Sequence, residues 1–146
     1  MKSVLVVEDD DDLRDVICRV LTEEGYETRS ATNGQHALEI LRDGPLPGLI
    51  LLDLMMPIMN GWAFRAHQEA DARLTSIPVI VMTAAAQLDD AAIAGTDFVR
   101  KPVRIEDLLE RVRSHIGHEF DDVPPTVPDG AVLAPLDLGD TPIEGA

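Results

Sequence analysis

Short runs of consecutive apolar residues alternate along the chain with stretches in which apolar residues recur every three or four positions. Val4 to Val7 is the first run, followed by Leu13, Val16, Ile17, Val20 and Leu21 at helical spacing and then by Gly25. This predicts a strand and an amphipathic helix. Glu27 to Ala31 reads as a weak second strand, Asn33-Gly34 as a turn, and Gln35 to Asp43 as a helix with Ala37, Leu38 and Leu41 facing inward. Leu49 to Leu52 is a buried strand, and a helix to about Arg73 follows the loop Met55 to Gly61. Pro78 to Met82 is another apolar strand, Ala84 to Ala94 a short Ala-rich helix, and Asp97 to Arg100 a last strand stopped by Pro102. Ile105, Leu108, Leu109, Val112 and Ile116 line one face of a closing helix.

Strands that are apolar throughout, each followed by a helix, are covered on both faces. Right-handed crossovers then place helices on the two sides of a parallel sheet. The pattern predicts a doubly wound α/β fold with a five-stranded parallel sheet over residues 1–118. From 119 to 146 neither period persists, and five prolines, three glycines and seven acids predict a flexible acidic tail.

Charge narrows the possible partners. Twenty-seven acids against 12 bases give a net charge of -15, and the segment 119–146 holds seven acids and no Lys or Arg. The remaining 118 residues carry 20 acids and 12 bases, a net of -8. With aromatic residues at only 3%, this disfavours a nucleic-acid surface. The lone Cys18 closes no internal disulfide, and the apolar run before Glu8 is too short for a signal peptide. No stretch is long enough for a membrane span. A reducing, cytoplasmic setting is expected.

In an open parallel sheet, ligands bind beyond the carboxyl ends of the strands. Glu8-Asp9-Asp10 lies there on the first strand, Asp53 on the third, Thr83 on the fourth and Lys101 on the fifth. Carboxylates about 4 Å apart repel by roughly 1 to 4 kcal/mol per pair, so a proton or a hard divalent cation must offset them. Mg²⁺ suits such oxygen donors. Asp11 or Asp12 is the expected N-cap of the first helix. The four histidines share no spacing with the acids, Cys18 and Trp62 read as packing residues, and Met55, Met56 and Met59 as loop packing.

Val6-Val7-Glu8-Asp9, Leu51-Leu52-Asp53-Leu54-Met55-Met56-Pro57, Asn60-Gly61, Val81-Met82-Thr83-Ala84 and Lys101-Pro102 together resemble the receiver domain of two-component response regulators. The likeness covers residues 1 to about 117 and implies a flavodoxin-like sheet with strand order 2-1-3-4-5, as in stand-alone chemotaxis-type receivers. It implies that Asp53 accepts a phosphoryl group from a histidine of a sensor kinase or phosphotransfer protein. By the same resemblance Asp9, Asp53 and the carbonyl of Met55 would bind Mg²⁺, with Glu8 acting through a water. Thr83, Ala84 and Lys101 would bind phosphate, and Phe98 would couple the site to the surface of the fourth helix, last strand and closing helix. The implied protein modifies itself and is not a turnover enzyme. Its implied contacts are the phosphodonor, an unidentified downstream protein and a weak homodimer, with neither nucleic acid nor membrane.

The interval from Thr83 to Lys101 is 18 positions, about four fewer than is usual in the family, which implies a fourth helix one turn short. Met55 and Ala85, which would flank the hydrolytic water, are both apolar, so slow self-dephosphorylation is expected. Three other classes compete. A haloacid-dehalogenase-type phosphohydrolase wants a second acid two positions after the nucleophile, where Met55 stands. An FMN carrier wants a Ser/Thr-rich cradle, which the loops lack. A non-phosphorylated scaffold has no need of the intact acids, Thr83 and Lys101.

Overall fold

The computed structural model describes residues 2–84 and 96–117. Its elements are β1 (Ser3–Val7), α1 (Asp11–Glu23), β2 (Glu27–Ala31), α2 (Gly34–Arg42), β3 (Leu49–Asp53), α3 (Gly61–Glu69), β4 (Val79–Thr83), β5 (Asp97–Arg100) and α4 (Ile105–Ile116). The five strands are all parallel, in the order β2-β1-β3-β4-β5. Both the fold class and the strand order are those expected from the sequence. The helix expected at 84–94 lies, after Ala84, outside the described residues, as do Ala85, His118 and the segment 119–146.

Successive side chains on a strand point to opposite faces, so a strand buried on both sides feeds two cores. Leu5, Val7, Ile50, Leu52, Val79 and Val81 pack on one face with Ala37 and Leu41 of α2 and Phe64 of α3. Val4, Val6, Leu49, Leu51, Ile80 and Met82 pack on the other with Ile17 and Leu21 of α1 and Leu108 and Val112 of α4. Val81 and Met82 face different cores although they are adjacent, which is why their strand shows no polar alternation. Cys18 packs beside the second core and Met56, Met59 and Trp62 beside the first, the packing roles expected of them.

Two local details differ from the sequence pattern. The N-cap of α1 is Asp10, whose carboxylate accepts from the Leu13 amide at 3.1 Å, and neither Asp11 nor Asp12 takes that place. Those two acids occupy the first turn, where the helix dipole favours them. The third helix ends at Glu69, short of Arg73, because the buried Gln68 amide donates to the carbonyls of Leu74 and Ile77, each at 3.0 Å. Asp71 accepts from the Arg73 amide at 2.9 Å and closes a turn where a helix could have continued.

Gly61 sets the approach of α3 to the end of β3. A Cβ there would stand 2.6 Å from the carbonyl oxygen of Asp53 and 2.8 Å from the Leu54 Cα, so any side chain would push the helix away from the rim. Asn60 caps α3 through the Ala63 amide at 2.8 Å. Between Asp53 and that cap the chain makes a tight turn in which the Met59 amide donates to the Pro57 carbonyl at 2.7 Å. Ile58, at its centre, has φ 69 and is 84% exposed, a left-handed conformation that a β-branched side chain disfavours.

Candidate functional site

Parallel pairing brings all the strand ends to one edge. Asp53 and Thr83 are the last residues of β3 and β4, Glu8 and Asp9 follow β1, and Lys101 follows β5. Backbone hydrogen bonds carry the strand geometry one residue further at two of these ends. The Glu8 amide donates to Ala31 at 3.1 Å and the Lys101 amide to Thr83 at 2.7 Å. The Arg14 guanidinium donates to the Glu8 carbonyl at 2.9 Å and so fixes the rim from α1.

The side chains converge. Glu8, Asp9 and Asp53 each offer an oxygen within 4.8 Å of the others. Lys101 Nζ lies 3.0 Å from Glu8 Oε1 and 3.4 Å from Asp53 Oδ1. Glu8 and Asp53 are buried, whereas Asp9 is exposed and forms the open side of the hollow. Two backbone amides also point at the acids: Asp10 donates to Glu8 Oε2 at 3.1 Å and Met55 to Asp53 Oδ1 at 3.2 Å.

Three carboxylates and one ammonium leave an excess of two negative charges if all are ionised. Desolvation is the first cause that pushes the Asp53 carboxyl up, and the neighbouring Glu8 charge is the second. Lys101 and the Met55 amide oppose them, and the group settles at about 7. Burial pulls the Lys101 ammonium down, but its hydrogen bond to Glu8 and the attraction of both acids outweigh that, so its pKa rises. A proton is therefore readily held at this rim in the absence of a cation. An all-oxygen donor set of this charge, with two acids buried and one open to water, fits a small hard divalent ion.

The other expected residues fall nearby. Thr83 is buried at the adjacent strand end, paired in register with Arg100, and Ala84 follows it exposed. Met55, expected to pack in its loop, is instead 60% exposed, two residues beyond Asp53. Phe98 is on β5 opposite Val81, is 37% exposed, and lines a groove with Lys101 and Pro102 on the outer side of the sheet edge. It stands outside the carboxylate cluster. The Glu8–Lys101 ion pair and the Arg14 clamp on Glu8 were not read from the sequence. The first joins residues 93 positions apart, and the second carried only the weak signal of a cation in the first turns of α1.

Residues 4–113 match the response regulator receiver domain, and the chain belongs to that family. Among curated proteins it is 33% identical over 125 residues to the DNA-binding response regulator MtrA of Mycolicibacterium smegmatis, covering 83% of this chain and 53% of that protein. It is 31% identical over 117 residues to the phosphate regulon transcriptional regulatory protein PhoB of Escherichia coli, covering 77% of this chain and 51% of that one. The chain thus spans about half the length of the curated relatives it matches. Among solved structures, the response regulator TrrA of Thermotoga maritima in complex with Mg²⁺-BeF superposes with a TM-score of 0.71 at 29% identity, covering 80% of this chain and all of that one. No helix among the described residues is long and apolar enough to cross a membrane.

Proposed function

We propose that this receiver domain accepts a phosphoryl group on Asp53 from a phosphohistidine of a sensor kinase or phosphotransfer protein, in a reaction that requires Mg²⁺. The observation that carries the reading is the convergence of Glu8, Asp9, Asp53 and Lys101 at one rim, with two of the three acids buried and an ammonium 3.4 Å from Asp53. A structural ion-pair network would bring balanced charge; this cluster carries an excess that an incoming group must meet.

Ionised Asp53 attacks the phosphorus through a carboxylate oxygen. The P–O bond forms as the P–N bond breaks, and the histidine ring leaves as the neutral imidazole once it has a proton on nitrogen. Asp9, Asp53 and the Met55 carbonyl would hold the ion, with Glu8 acting through a water, and the ion would supply charge neutralisation for the transferred group. Lys101 is placed to shift from the carboxylates to the phosphoryl oxygens as charge moves outward, and the Met55 amide keeps Asp53 oriented. Thr83, Ala84 and Phe98 are assigned the readout: Thr83 and Ala84 toward the phosphoryl group, Phe98 on the β5 surface. The chain modifies itself and returns to its starting state by hydrolysis, which the apolar Met55 leaves slow. A cytoplasmic location and a protein target downstream accompany this role. DNA binding is named for MtrA and transcriptional regulation for PhoB, and neither is assigned to this acidic chain.

Intact mass after incubation with acetyl phosphate and Mg²⁺ tests the proposal. One phosphoryl adduct in the wild type and none in Asp53→Asn is expected. An unmodified wild type, with a phosphohistidine donor supplied as well, would favour the scaffold reading.

A further inference from the structure

The second end of the molecule's chemistry lies along β5 and α4, outside the phosphoacceptor cluster. A groove of about 430 Å³ runs there, lined by Phe98, Arg100, Lys101, Arg104, Asp107 and Arg111 among others. Four of the chain's 12 Lys and Arg residues line it, in a protein of net charge -15; Lys101 is engaged by Glu8 and Asp53 and Arg111 by Asp97, so Arg100 and Arg104 carry the groove's available positive charge. Arg104 is 78% exposed, with only a 3.9 Å contact to Asp107, and Arg100 makes no ion pair among the described residues. Phe98 adds an exposed apolar group to this basic surface. The groove suits an extended peptide that carries acids and aliphatic side chains together.

The chain contains such a peptide. Residues 119–146 hold seven acids and no Lys or Arg, and Val132-Leu133-Ala134-Pro135-Leu136-Asp137-Leu138-Gly139-Asp140 sets four large aliphatic residues beside two acids. Its reach is adequate. Gly117 follows α4, whose 12 residues span about 18 Å, so the groove residues Arg104 and Arg111 lie roughly 10 to 20 Å from the point of departure. Fourteen residues lie between Gly117 and Val132, and a random coil of that length has a root-mean-square span of about 20 Å. A linker matched to the distance gives an effective concentration in the millimolar range, at which a contact with a dissociation constant below about a millimolar is mostly formed.

We infer that the acidic segment centred on Val132 to Asp140 docks in the β5/α4 groove of its own chain. It then covers Phe98 and the arginines, and a partner that reads this face must displace it. Because Lys101 lines the groove and also touches Glu8 and Asp53, occupancy of the groove and modification of Asp53 influence one another. The docking stands independently of the reading of Asp53 as phosphoacceptor, and only this coupling rests on that reading.

A spin label at Ala134→Cys in a Cys18→Ala background of the full chain tests the docking. The amide signals of Phe98, Arg100, Arg104 and Arg111 should lose about half their intensity or more relative to the reduced label. They should recover in about 0.5 M salt, where screening shortens the Debye length. Arg100→Glu with Arg104→Glu should abolish the broadening while leaving the melting temperature unchanged, since both side chains are exposed. Broadening that persists in that variant, is absent from the wild type, or falls at the second basic hollow by Arg42, His67 and Arg73 would overturn the proposal. So would broadening transferred between chains in a mixture of labelled and isotope-enriched protein, which would place the segment on a second copy. Acetyl phosphate labelling of the same samples reports separately on Asp53.

Discussion

The two ends of β5 carry the same kinds of side chain and use them differently. At its start Asp97 is bridged by Arg111, and by His115 at 3.1 Å, and both partners are on α4. Just beyond its end Lys101 meets Glu8 and Asp53. The first cluster is open to solvent and roughly balanced in charge, so it braces strand to helix at little gain or cost. The second buries two of its three acids and carries more acid than base, so its ionisation is costly and depends on what binds. Burial with imbalance separates a site from a brace, and neither property belongs to any one residue.

Breaking the buried end should have the larger effects. Asp53→Asn should abolish phosphorylation and, without Mg²⁺ at pH 8, stabilise the fold by about 1 to 2 kcal/mol because one repelling charge is gone. Denaturant melts of a variant that is destabilised or still labelled would contradict this. Lys101→Met should leave Glu8 buried without its cation and cost about 3 kcal/mol at pH 8, less at pH 5, where the acids can take up protons. An equal loss at the two pH values would show that the ammonium matters by packing alone.

Stability should also follow pH in a direction set by Asp53. Its carboxyl titrates at about 7 in the fold against an ordinary 3.8, so between those values the folded state holds a proton that the unfolded chain has released. The contribution is favourable at low pH and is lost as pH rises from about 4 to about 7. Urea midpoints of the metal-free protein across this window should fall, and the fall should vanish in Asp53→Asn. The balanced end gives the smallest change. Asp97→Asn should cost no more than about 1 kcal/mol and leave phosphorylation unaltered, which melting and mass measurements on one sample would check.

The legible parts of the fold were those where burial is written locally. The strands β1, β3 and β4 are buried on both faces, and their apolar runs have no other reading. The rim followed from parallel order alone: strands that point one way must end on one edge, so Glu8, Asp53, Thr83 and Lys101 could be set together before any distance was known. What escaped was decided by tertiary contacts or by equivalent local choices. Glu8 to Asp12 is an unbroken acidic run, and nothing in it singles out Asp10 as the cap. The end of α3 depends on Gln68 reaching carbonyls six and nine residues on. The pairing of Lys101 with Glu8 explains why a fully buried carboxylate is tolerated at all, and it exists only once β1 and β5 share a sheet.

The proposed role of the rim depends on an excess of negative charge that a divalent cation would offset. Thermal melting at pH 8 with and without about 10 mM Mg²⁺, compared between wild type and Asp9→Asn, measures this directly. A rise in the wild-type melting temperature that shrinks or disappears in Asp9→Asn is the predicted result. No shift in the wild type, or an equal shift in both proteins, would contradict it.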